Sequence, residues 1–128
     1  MSDAIKHECG IALLRLKKPL EFYKEKYGSA FYGIQKMYLL MEKQHNRGQD
    51  GAGLASIKLD VEPGERYISR IRSNQAQPIQ DIFAQVNQRI NEELALHPEY
   101  NDNVELQKKE IPYIGELFLG HVRYGTFG

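Results

Sequence analysis

Apolar positions fall along the chain in two rhythms. From Cys9 to Leu16, Ile and Leu crowd into a short run closed by Lys17, Lys18 and Pro19, and an apolar run of that length predicts a buried strand. Between Ser29 and about Gln44 the spacing changes. Phe31, Ile34, Met37, Tyr38 and Met41 recur at three and four, the period of a helix with one apolar face, and Ser29 is its expected N-cap. Ala52 to Leu59 reads as a second strand. The Pro- and Gly-bearing stretch Asp60 to Gly64 is a turn, and a third strand around Arg66 to Arg72 completes a predicted hairpin.

Pro78 suits the first turn of a helix whose stripe of Ile79, Ile82, Phe83, Val86, Ile90 and Leu94 runs on to His97-Pro98. That stripe is expected to pack in the core. Residues 98–112 are polar and read as a surface insertion with at most a short helix, their Lys108, Lys109 and Glu110 charges solvated. Strand character returns from Glu116 to Val122 and delivers His121-Val-Arg-Tyr-Gly-Thr-Phe-Gly128 to a loop. No internal repeat is visible.

With 128 residues, 41% hydrophobic and 27% charged, the chain suits one modest domain or part of a larger one, and disordered or collagen-like readings are excluded. Seventeen Lys+Arg balance seventeen Asp+Glu. The broad positive field of a nucleic-acid or anionic-membrane binder is therefore missing. The single cysteine cannot form an internal disulfide, and no segment approaches the ~18 consecutive apolar residues of a membrane span. The amino terminus has neither a secretory nor a transit pattern, so a cytoplasmic protein is expected. A Gly-rich turn at Gly128 suggests a fold that continues beyond it.

Candidate chemistry begins at Cys9. The next residue, Gly10, lacks a Cβ and lets a substrate or a neighbouring backbone come close, yet an isolated free cysteine also serves as a small buried hydrophobe. In Gln44-His-Asn-Arg-Gly-Gln-Asp-Gly-Ala-Gly53 three glycines, an Arg and an Asp join a helix to a strand. Their spacing matches neither the Walker loop nor G-x-G-x-x-G, and they can simply permit a tight turn that Asp50 caps or braces. His7, Glu8, Cys9, His45 and His121 show no metal-ligand spacing, so no metal is expected. Phe22, Tyr23, Tyr27, Phe31, Tyr32 and Tyr38, interleaved with Lys, have the faces to stack nucleobases. Zero net charge and their overlap with the helix stripe favour core and rim packing, with no nucleic-acid partner.

Three motifs in order, Cys9-Gly-Ile, Arg47-Gly-Gln-Asp-Gly-Ala-Gly53 and Gly120-His-Val-Arg-Tyr-Gly-Thr126, resemble the class II glutamine amidotransferase domain of the N-terminal-nucleophile hydrolases. Within that group the Arg-Gly-Gln-Asp and His-Val-Arg-Tyr versions are most similar to the amidophosphoribosyltransferases of purine synthesis. The resemblance implies an α+β fold, the first part of a four-layer αββα architecture. It implies a propeptide over residues 1–8 and the N-terminal part of the amidotransferase domain over 9–128. Cys9, freed as the mature amino terminus, would use its own α-amine as base and attack the glutamine side-chain amide through a thioester. An α-amine of pKa roughly 7.7–8.0 and a thiol near ~8.5 are matched for that transfer at neutral pH.

On the same resemblance, Arg123 would pair with the glutamine α-carboxylate, Thr126 would add a hydrogen bond, and Arg47, Gly48 and Asp50 would support the cysteine loop. The oxyanion donors and the residue gripping the glutamine amine would lie beyond Gly128, so residues 1–128 alone are expected to be inactive. No cofactor is expected within them. A transferase domain taking the ammonia would use Mg²⁺ with phosphoribosyl pyrophosphate, in a protein expected to be a homo-oligomer. Amidotransfer to another acceptor such as a sugar phosphate, and a catalytically silent interaction domain of the same fold, stand as alternatives.

Overall fold

Strand β1 (Cys9–Arg15) and strand β4 (Leu117–Arg123), the first and last elements among the described residues, lie side by side. They belong to a computed structural model that describes residues 9–44 and 50–123. Between them come α1 (Leu20–Tyr27), α2 (Tyr32–Lys43), β2 (Gly51–Ile57), β3 (Ile68–Ser73), α3 (Pro78–Leu96), a 3-10 turn (Pro98–Tyr100) and α4 (Val104–Glu110). The four strands form one antiparallel sheet in the order β1-β4-β2-β3. The domain is α+β, and the expected β2–β3 hairpin is present.

Side-chain alternation gives the sheet two unlike faces. On one, Ala12, Leu54, Phe118 and Val122 are buried together with Ile34, Met37 and Met41 of α2 and Ile79, Ile82, Phe83, Val86 and Ile90 of α3. Both helices thus present the predicted stripes to the sheet. Gly120 in β4 is what lets α2 come this close, since a Cβ there would stand 2.7 Å from Met41 Sδ and 2.8 Å from Met37 Cε. Among the described residues no helix covers the opposite face, where Ile11 and Leu13 are each 66% exposed and Leu119 is 46% exposed. No helix among the described residues is long and apolar enough to cross a membrane.

Three expectations need correction. Ser29 does not cap α2, whose N-cap residue is Phe31; the Ser29 hydroxyl accepts the Phe31 N–H at 2.9 Å and closes a turn ahead of the helix. The segment 98–112 is more than a surface excursion, because it buries Tyr100, Gln107 and Ile111 beneath its polar exterior. Lys108 is not merely solvated. Its ammonium meets Glu116 Oε2 at 2.7 Å with side chains 21% and 10% exposed, and it also donates to the Leu59 carbonyl.

Candidate functional site

Strand β4 sits inside the sheet, so its last residue, Arg123, has a neighbour on each side. Across one ladder it faces Cys9 and across the other Gly51. The Asp50 N–H then donates to the Arg123 carbonyl at 2.8 Å, extending the pairing one residue past the end of β2. Three segments separated by some forty and seventy residues in sequence thus converge on one corner of the sheet. Antiparallel partners of this kind have Cα atoms about 4.5–5.5 Å apart.

A second contact joins the helix to the same corner. Gln44, the C-cap residue of α2, donates from Nε2 to the Ile11 carbonyl at 3.1 Å. Its side chain also lies over Gly10, where any Cβ would run into the Gln44 Oε1 and stand 3.1 Å from its Cβ. A side chain after Cys9 would therefore have to displace the Gln44 amide that ties α2 to β1. This clamp ties the C-terminal end of α2 to the strand that carries Cys9.

The Arg123 guanidinium is exposed and has no ion-pair or hydrogen-bond partner among the described residues. It borders an open trough of about 610 Å³ floored by Gly51 and Gly53, with His121 on the same side and Arg72 and Asn74 opposite. The trough exists because β2 contributes so little side chain between its two larger neighbours. Register fixes the walls: Gly53 lies opposite His121 on one flank and Arg72 on the other. Ser73 closes the far end, donating to Asp81 Oδ2 at 2.6 Å and accepting the Gln75 N–H at 3.1 Å. The guanidiniums of Arg72 and Arg123 outnumber the single lining carboxylate, Asp50, so the trough suits a small ligand that carries a carboxylate.

Of the residues singled out in the sequence, Cys9, Asp50 and Arg123 are brought together by backbone pairing. Asp50 contributes its amide to that pairing. Arg47, Gly48 and Thr126, the segment 1–8, and His7, Glu8 and His45 lie outside the described residues. Among the described residues no group of three or more His, Cys, Asp and Glu is placed to hold a metal. Sequence reasoning missed Arg72 and Gln44 as parts of this corner. The signal for Arg72 was its alternation with Arg70 along β3, which places both on the face opposite α2 and α3, where both are exposed.

No family model, no curated protein and no solved structure matches the chain.

Proposed function

We propose that the corner formed by Cys9, Asp50 and Arg123 is part of a glutamine-hydrolysing site of the class II amidotransferase type. The observation that carries this reading is the double pairing of Arg123, to Cys9 on one side and to Gly51 on the other. It gathers the three motifs of the resemblance, which nothing in sequence proximity requires to meet. A nucleophile and a carboxylate-binding guanidinium must lie within one amino acid's reach for the amide to be presented to the thiolate.

In this reading glutamine enters the trough with its α-carboxylate on Arg123, bidentate as the planar guanidinium favours. Cys9, as a mature amino terminus, uses its α-amine to take the thiol proton, and the thiolate attacks the side-chain amide carbon. Ammonia leaves carrying a proton returned by that amine, and water then hydrolyses the glutamyl thioester to glutamate. Thr126 supplies a further hydrogen bond to glutamine, and Arg47 and Gly48 brace the cysteine end of β1, the strand that Gln44 tethers. While Glu8 remains amide-bonded to Cys9, the nitrogen is not basic, so the reading includes removal of residues 1–8.

The four-layer αββα arrangement belongs to the same proposal. It assigns a second sheet to the face on which Ile11, Leu13 and Leu119 stand exposed, and large apolar side chains clustered on one face are commonly covered. Ammonia is passed, in this proposal, to a phosphoribosyltransferase partner domain. Glutaminase assays on the full-length protein test the reading: Cys9→Ser is expected to lower glutamine hydrolysis by at least a hundredfold, because a serine hydroxyl is a far weaker nucleophile near neutral pH. An unchanged rate would end it.

A further inference from the structure

At the end of β2 remote from Gly51 lies a second concavity, of about 300 Å³, bordered by Lys58, Arg66, Arg89 and Lys109 and by the carboxylates of Glu65 and Glu110. Lys58 is the unusual member. It is only 7% exposed, and its ammonium has one long bond, 3.5 Å to the Lys109 carbonyl. No carboxylate stands within 4.0 Å of it among the described residues. An ammonium carries three donors, and drawing it partly out of water with most of them unfilled is costly.

The neighbours divide into engaged and unengaged groups. Arg89 is held by Glu93 at 3.2 Å, and Lys109 by Glu65 at 3.6 Å. Arg66 has no ion-pair partner among the described residues. Ser69, 7% exposed, accepts the Tyr113 N–H at 3.3 Å, which leaves its hydroxyl proton to donate elsewhere. Lys58, Arg66 and Ser69 together therefore present unfilled donors, and once the Arg89–Glu93 and Lys109–Glu65 pairs are set aside, two cations face the one remaining carboxylate, Glu110. Burial lowers the Lys58 pKa below the ordinary lysine value; Glu110 and Glu65 oppose that, and the Lys108 and Arg66 cations reinforce it. A bound anion would place a counter-charge in direct contact with Lys58, where Glu65 and Glu110 act only from a distance.

We propose that this concavity binds a tetrahedral oxyanion, a phosphate either free or as the monoester of a small molecule, through Lys58, Arg66 and the Ser69 hydroxyl. Two cationic donors of different reach and a neutral hydroxyl match the several acceptor oxygens of a phosphate. The site lies at the opposite end of β2 from Arg123 and does not depend on the glutamine reading.

The test is a titration of the full-length protein with inorganic phosphate, and in parallel with glycerol phosphate, at ionic strength held constant with sodium chloride. Thermal unfolding and the amide resonances of residues 58, 66 and 69 are the readouts. Saturable binding near 1 mM is expected, which at 10 mM ligand raises Tm by roughly 4–6 °C. Lys58→Met should abolish the shift, and Arg66→Gln, at an exposed position that tolerates change, should weaken binding at least fivefold. Tighter binding of the ester assigns the site to a phosphorylated small molecule, and equal or tighter binding of inorganic phosphate assigns it to the free ion. If Lys58→Met does not fold, the Arg66→Gln comparison and the localised resonance changes decide. No saturable effect beyond the sodium chloride control, or an effect undiminished in Arg66→Gln, would overturn the proposal.

Discussion

Cys9 and Arg123 stand opposite one another as the terminal pair of the β1–β4 ladder. A change at Arg123 should therefore be felt as a change in substrate positioning and not as a loss of fold, since the guanidinium is exposed and unpaired among the described residues. Arg123→Lys is expected to raise the KM for glutamine roughly tenfold or more while leaving Tm within about 1 °C, because a point charge replaces a bidentate fork. Steady-state kinetics together with thermal unfolding check it. A large fall in Tm with KM unchanged would make the residue structural.

Gly10 and Gln44 make a second relationship that can be separated by pairs of substitutions. Gly10→Ala inserts a Cβ into the space of the Gln44 side chain and should cost about 1–3 kcal/mol of stability, the usual scale of overpacking. Adding Gln44→Ala removes the amide end of the obstacle and leaves only the Cβ contact at 3.1 Å, so the double variant should be less destabilised than the sum of the singles. Denaturant melts of the four proteins measure this coupling, and strict additivity would show that the contact is relieved some other way.

Glu116 holds two groups at once: Oε1 accepts the Leu59 N–H at 2.9 Å and Oε2 meets Lys108 at 2.7 Å. Glu116→Gln keeps an acceptor for the amide but leaves the half-buried Lys108 without its charge partner, for an expected loss of roughly 1–3 kcal/mol. Glu116→Ala orphans the Leu59 N–H as well and should be the worse of the two. Equal stability of both variants and the parent would reduce the pair to a surface contact.

These last contacts were the least legible in the sequence. The strands β1, β2 and β4 and the helices α2 and α3 follow from apolar spacing, because each buries one face or one stripe against a single large neighbour. The helix α1 was missed since only Leu20 and Tyr23 are buried among its charged residues; the better signal was its frame, Pro19 before it and the left-handed Gly28 after it. Lys108 reads as solvated on any local pattern, and its partner Glu116 comes from the edge of another element. Sheet order was also illegible. The placement of β4 between β1 and β2 depends on pairings across most of the chain, and it is this placement that brings Cys9 and Asp50 to Arg123.

Lys58 makes a prediction about pH. Its folded-state pKa lies below the ordinary value of 10.5, so between those two values the unfolded chain binds more protons and stability gains with rising pH. The cost of keeping the ammonium buried is fully present below the folded pKa and is relieved as pH climbs toward 10.5. Relative to Lys58→Met, the wild-type protein should therefore gain stability across the upper, alkaline part of that range. Urea melts at stepped pH read the difference, and a gap that stays constant or widens in the other direction would contradict a lowered pKa.

In the proposed function Cys9 is the nucleophile at a glutamine site organised by Arg123. The most direct test of that role is intact and peptide mass spectrometry of the full-length protein after exposure to a glutamine-like electrophile, with and without excess glutamine. The expected result is an unmodified chain that begins at Cys9, a single adduct on Cys9 that excess glutamine prevents, and slower labelling in Arg123→Lys. An active protein still carrying residues 1–8, or labelling of Cys9 that glutamine does not slow, would contradict it.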